Sequence, residues 1–176
     1  MPITYATADT FRCATVEQLR PILAGLTTIT WPCPAEAIPA IIDRLGWALT
    51  SSRVHVKADV GLPLNWAVGD FSRPDGQFTQ LGFPVSDVVA TDDAPAASAV
   101  KAAFPLMVDG IEAVLGPADG RIDDLVHQTW WELPSEGRIK LELLPGNLQM
   151  RLLSKQVADV ERFVETHDMS QYHDDE

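Results

Sequence analysis

Cysteine and basic residues are scarce in this sequence, and each shortage excludes a class of protein. Two of the 176 residues are cysteine, and 13 Lys or Arg stand against 25 Asp or Glu. A chain of this size without a secretion signal needs no disulfide, so we expect Cys13 and Cys33 to be free, partly buried thiols. A net charge of −12 disfavours nucleic acid and anionic membranes as partners and favours association with a basic one.

Long apolar runs are missing as well. No stretch approaches the roughly 20 residues that a membrane span requires, and the first 12 residues have neither the basic start nor the apolar core of a secretion signal. We therefore expect a soluble cytoplasmic protein. The length, with 46% hydrophobic residues, suits one domain over residues 1–176, with a frayed tail at about 167–176.

Motifs of known chemistry are also absent from the sequence. It has no H-E-x-x-H, no paired C-x-x-C, no G-x-S-x-G and no phosphate-binding P-loop. Cys33 precedes a predicted helix, where the helix dipole favours a thiolate, but no histidine lies near it in sequence. We expect no enzyme, no cofactor and no metal site. The alternative is a small-molecule-binding or enzymatic domain whose pocket collects His127, Cys33 and distant carboxylates.

The order of periodic segments predicts an α+β fold, a single domain with an antiparallel sheet packed on several helices. Thr15 and Gln18 form the pattern of a capping box, which marks a helix start. Alternating Val and Ala in residues 53–61 are typical of a half-buried strand. The predicted helices cover residues 16–26, 35–45, 99–115 and 154–165, and the predicted strands lie in 53–61, 62–71, 77–90 and 125–152. Residues 116–124 are predicted to form a loop.

The last of these segments predicts a three-stranded meander, because its apolar residues alternate. One face carries Leu125, Trp131, Leu133, Ile139, Leu141, Leu143, Leu148, Met150 and Leu152. A one-residue slip would bury Arg138, Lys140 and Glu142 instead, so the register is well determined. Trp130 falls on the charged face. Its ring is either covered by another element, stacked against Lys140 or Arg151, or offered to a protein partner.

The closing helix over residues 154–165 has apolar residues at helical spacing. Its periodicity predicts that Val157, Val160, Phe163 and Val164 face the core.

A family resemblance rests on four stretches: "TWPCPAEAIPAIIDRLGW", "FPVSDVV", "AVLGPADG" and "TWWELPSEGRIKLELLPGNLQMRLL". Over roughly residues 28–154 the chain resembles a family of small acidic actinobacterial proteins, several of them encoded beside secreted toxins. In acidity, length and layout it is similar to the immunity factors of the mycobacterial necrotizing toxin, a NAD glycohydrolase. The resemblance implies a non-enzymatic cytosolic antitoxin that binds the basic toxin catalytic domain 1:1 and occludes its NAD cleft.

Loops carry recognition more often than strands do, so the candidate contacts are exposed polar loop residues together with Trp130. The candidate partner-binding residues are Trp130, Asp70, Arg73, Asp75, Gln77, Asp92, Asp93 and Glu136.

Overall fold

The computed structural model describes residues 4–50, 55–63, 66–69 and 76–167. The predicted contacts Asp70, Arg73 and Asp75 and nearly all of the predicted tail lie outside these residues. Within them the chain forms four α-helices: Val16–Thr27 (α1), Ile38–Arg44 (α2), Ala94–Leu115 (α3) and Lys155–Thr166 (α4). The strands are Cys33–Pro34 (β1), Ala48–Leu49 (β2), His55–Lys57 (β3), Trp66–Gly69 (β4), Gln77–Phe78 (β5), Gln80–Pro84 (β6), Gly120–Asp123 (β7), His127–Glu132 (β8), Arg138–Leu144 (β9) and Asn147–Leu153 (β10).

Eight of these strands form one antiparallel sheet in the order β2-β3-β4-β6-β10-β9-β8-β7, and β1 pairs with β5. The predicted meander is β8, β9 and β10, and its register pairs Trp131 with Ile139 and Ile139 with Leu152. The α+β fold class is confirmed.

The helices begin where side chains satisfy their free backbone N–H groups. The predicted capping box is confirmed. The backbone N–H of Gln18 donates to Thr15 Oγ1 at 3.2 Å, and the backbone N–H of Thr15 donates to Gln18 Oε1 at 2.8 Å. The carboxylate of Asp93 caps α3, and the hydroxyl of Ser154 caps α4. Gly46 follows α2 with φ +72°.

Residues 116–124 differ from the prediction, because Gly120–Asp123 pairs with β8 as strand β7. The Trp130 ring packs directly on Gly120, where an added Cβ would lie 2.2 Å from Trp130 Cζ2. In the sequence Gly120 indicates a loop. In the structure a glycine is required at this position because the ring packs too closely for a side chain.

The core lies on one face of the sheet, which we call the inner face. Helix α3 packs on β9 and β10, and α1 packs on α3. Seven of the nine predicted meander residues are buried there: Trp131, Leu133, Ile139, Leu141, Leu148, Met150 and Leu152. Leu143 is half-buried. The prediction for Leu125 is wrong, since it is 95% exposed. It precedes the first residue of β8, so strand alternation does not extend to it.

None of the described helices is long and apolar enough to cross a bilayer.

Candidate interaction surface

The opposite face of the sheet, which we call the outer face, buries charge. Arg138, Lys140 and Glu142 alternate with the core residues of β9 and are only 1%, 5% and 6% exposed. The predicted register is correct, but the expectation that these charges stay out of the interior is wrong. Because an unpaired buried charge is very costly, each of them must be matched by opposite charge.

Arg138 is the centre of this network. Its Nε donates to Glu132 Oε1 at 3.0 Å, and its two terminal nitrogens donate to Glu161 Oε2 and Glu165 Oε2, each at 3.1 Å. Burial alone would lower the pKa of Arg138, but the hydrogen bonds to Glu165 and Glu132 raise it above its ordinary value. The guanidinium therefore remains charged, and two of its carboxylate partners belong to α4.

Further ion pairs attach α4 to β8, to β9 and to the turn between them. Lys140 Nζ lies 3.0 Å from Glu161 Oε1, and Lys155 Nζ lies 3.0 Å from Glu136 Oε1. Arg162 binds Glu132 and also donates to the Glu136 carbonyl at 2.9 Å. Helix α4 is thus held on the outer face largely by charge.

This arrangement turns the apolar side of α4 away from the sheet. Val160, Phe163 and Val164 are 61%, 57% and 50% exposed, and we call them the apolar stripe. The prediction that they face the core is wrong, while Val157 is half-buried. The physical reason lies in β9: its buried cations require carboxylates, and Glu161 and Glu165 supply them only if this side of α4 faces the sheet. The His167 ring stacks on the Phe163 ring, with the two ring centroids 4.0 Å apart.

Trp130 belongs to the same network. It is half-buried, and Arg138 Cζ lies 5.0 Å from the centroid of its ring. A cation–π contact was one of the sequence-based interpretations of Trp130, but Lys140 and Arg151 were the expected cations. Arg151 instead binds Glu142 and Gln80. A role for Trp130 in partner binding stays a prediction.

The other described candidate contacts fall into two groups. Gln77 lines a pocket beside the first turns of α4, and Glu136 binds Lys155. Asp92 is exposed, and Asp93 caps α3. The chain just before these two residues runs past the β9–β10 turn. That turn lies at the opposite end of β9 from Arg138. The structure therefore gathers Trp130, Gln77 and Glu136 around α4 and leaves Asp92 and Asp93 apart from them.

The two thiols are shielded from solvent, Cys13 partly and Cys33 fully. Cys13 and Cys33 are free, and burial raises the pKa of both, that of Cys13 to about 11 with Asp87 adding to the effect. The pocket beside Cys33 includes Arg44 but neither a histidine nor a carboxylate. Among the described residues, no three His, Cys, Asp or Glu side chains are grouped to hold a metal ion.

The sequence contained a signal for the apolar stripe, since its helical periodicity singled out these residues. Periodicity could not show which way these residues face. The basic residues at alternate positions of β9 could have shown it, because they require the carboxylates of α4 to face the sheet.

The chain matches the model of a protein family. A model of a family of unknown function, DUF6301, matches residues 17–154. Searches of curated proteins and of solved structures gave no significant match. The matched region ends at Ser154, the cap of α4, so it contains the sheet and helices α1 to α3 but not the apolar stripe. Since it covers most of the chain, this protein belongs to the DUF6301 family.

Proposed function

We propose that this protein is a non-enzymatic immunity protein that binds the catalytic domain of a NAD glycohydrolase toxin in the cytosol and occludes its NAD cleft. The observation that carries the proposal is the orientation of α4, which points Glu161 and Glu165 at Arg138 and exposes Val160, Phe163 and Val164. Contiguous exposed apolar side chains on a protein surface are typical of interaction sites.

The attachment of α4 also suits a binding role. Glu161 and Glu165 bind Arg138, and Arg162 binds Glu132, so several ion pairs fix the helix. A surface that is already ordered loses little conformational entropy on binding, and more of the contact energy then appears as affinity.

Charge supports the choice of a basic partner. The net charge of −12 attracts a basic domain over long range, which speeds association and makes its rate depend on salt. Apolar contacts at the stripe would then slow dissociation. The resemblance to immunity factors supplies the class of partner, a NAD glycohydrolase domain.

The test is to mix the full chain with the purified catalytic domain of a NAD glycohydrolase toxin. We expect a 1:1 complex in size-exclusion chromatography and loss of NAD hydrolysis at equimolar inhibitor. The double substitution Val160→Ser and Val164→Ser should abolish both. Leu106→Ser is the matched control, since Leu106 is an exposed apolar residue on α3. Full NAD hydrolysis in the presence of excess folded wild-type chain would refute the proposal.

A further inference from the structure

A pocket of about 280 Å³ lies beside the N-terminal turns of α4. Trp31 and Phe78 line it, with ring centroids 5.7 Å apart and planes tilted by 35°. Gln156 and Asp159 of α4 line it on another side. The pocket therefore joins an aromatic surface to the helix that carries the apolar stripe.

The pocket is continuous with the stripe along α4. Residues four apart on a helix are neighbours on its surface, so Gln156 adjoins Val160 and Asp159 adjoins Phe163. A protein that covers the stripe would therefore also cover the mouth of the pocket.

The pocket, at about 280 Å³, has room for one aromatic side chain. Aromatic side chains that fill pockets are characteristic of the residues that dominate protein–protein affinity.

The charges at the pocket favour an uncharged occupant. Lys155 Nζ lies 3.1 Å from Asp159 Oδ2, and these two residues are also bound by Glu136 and Arg162 respectively. A charged group entering the pocket would disturb these pairs. An aromatic ring would instead pack mainly against the half-buried Trp31 in a tilted or edge-to-face arrangement, since Phe78 is only 3% exposed.

We propose that this pocket receives one aromatic side chain of the partner protein and anchors the partner on α4. The inference rests on the proposed function for its partner, but the binding of an aromatic ring can be measured without any toxin.

The test is an NMR titration of the full chain with 4-methylphenol and indole, which reproduce the side chains of Tyr and Trp. Guanidinium, the head group of Arg, is the contrasting probe. We expect both aromatic probes to shift the Trp31 indole N–H resonance saturably in the millimolar range, and guanidinium to leave it unchanged. Absence of a saturable shift, or a larger shift with guanidinium, would overturn the inference.

A substitution at the pocket mouth provides the second measurement. Gln156 is exposed, so Gln156→Trp should fold normally and fill the pocket, and Leu106→Trp on the exposed side of α3 is its control. We expect Gln156→Trp to abolish the shift and to weaken toxin binding at least tenfold, whereas Leu106→Trp should retain both. Toxin binding at full affinity by Gln156→Trp would refute the anchor. Aromatic binding by a chain that leaves the toxin active would refute the proposed function but not the pocket.

Discussion

On strand β9 the two faces of the sheet are buried to similar extents by different means. Ile139 on the inner face and Arg138 on the outer face are neighbours on β9, and both are almost inaccessible to water. The inner face excludes water with apolar side chains, whose attraction has no preferred direction. On the outer face, each buried charge needs a partner of opposite charge. The inner face therefore determines the stability of the domain, while the outer face determines where α4 lies and which of its sides remains exposed.

The largest effect is expected on the inner face. Trp131 is buried and donates from Nε1 to the Gly116 carbonyl at 3.0 Å. Trp131→Ala should lower the free energy of unfolding by about 4 kcal/mol, because it opens a cavity and leaves that carbonyl without its donor. Urea unfolding followed by far-UV circular dichroism measures this. A loss below about 1 kcal/mol would show that the inner face is not the main source of stability.

Removal of the central cation should affect the outer face selectively. Arg138→Met leaves Glu132, Glu161 and Glu165 without the cation that they share, at a cost of about 3 kcal/mol. We expect α4 to detach while the core stays folded. Hydrogen exchange should then accelerate in α4 and remain slow in β9 and β10. The exposed Arg121 provides the control substitution Arg121→Met, and equal protection of α4 in both variants would contradict the account.

Acid should also release α4 from the outer face while the inner face stays folded. Burial alone would raise the pKa of Glu132, but hydrogen bonds from Arg162 and Arg138 lower it below its ordinary value. A carboxylate with a lowered pKa stabilises the fold fully above its unfolded pKa of about 4.3, and this contribution is lost as pH falls through the folded value. We expect α4 to lose protection from hydrogen exchange below about pH 4, before β9 does. Glu132→Gln should remove this pH dependence, and simultaneous loss of protection in α4 and β9 would argue against it.

Removal of the ring beneath Arg138 should have a smaller effect. Trp130→Leu loses the cation–π contact at 5.0 Å and the ring packing on Gly120 but keeps much of the apolar bulk. We expect a loss of about 1 kcal/mol in the free energy of unfolding, measured by urea denaturation beside Trp131→Leu. A larger loss for Trp130→Leu than for Trp131→Leu would reverse the roles assigned to the two tryptophans.

Much of the fold could be predicted from the sequence because its signals are local. Alternation in residues 125–152 identified the meander and its register, and Thr15 with Gln18 identified the start of α1. Strand β7 escaped prediction because Gly120 was interpreted as a loop residue, while its function is to accommodate the Trp130 ring. That contact joins two strands, and no local pattern contains it.

The candidate site was less predictable, because the direction that a helix faces depends on what it packs against. Periodicity selected Val160, Phe163 and Val164 correctly as one group but assigned them to the core. Only the position of Arg138 beneath α4 shows why Glu161 and Glu165 face the sheet. Gln77 and Glu136 were chosen as loop residues, and their proximity to α4 follows from the tertiary structure.

The central claim is that the apolar stripe serves binding and contributes little to folding. The most direct test measures both properties of Phe163→Ser, with Leu106→Ser as the matched control. We predict that Phe163→Ser changes the free energy of unfolding by less than about 0.5 kcal/mol. It should weaken binding of the toxin catalytic domain at least tenfold, whereas Leu106→Ser should bind normally. A Phe163→Ser variant that loses about 2 kcal/mol of stability and binds the toxin domain with unchanged affinity would contradict the account.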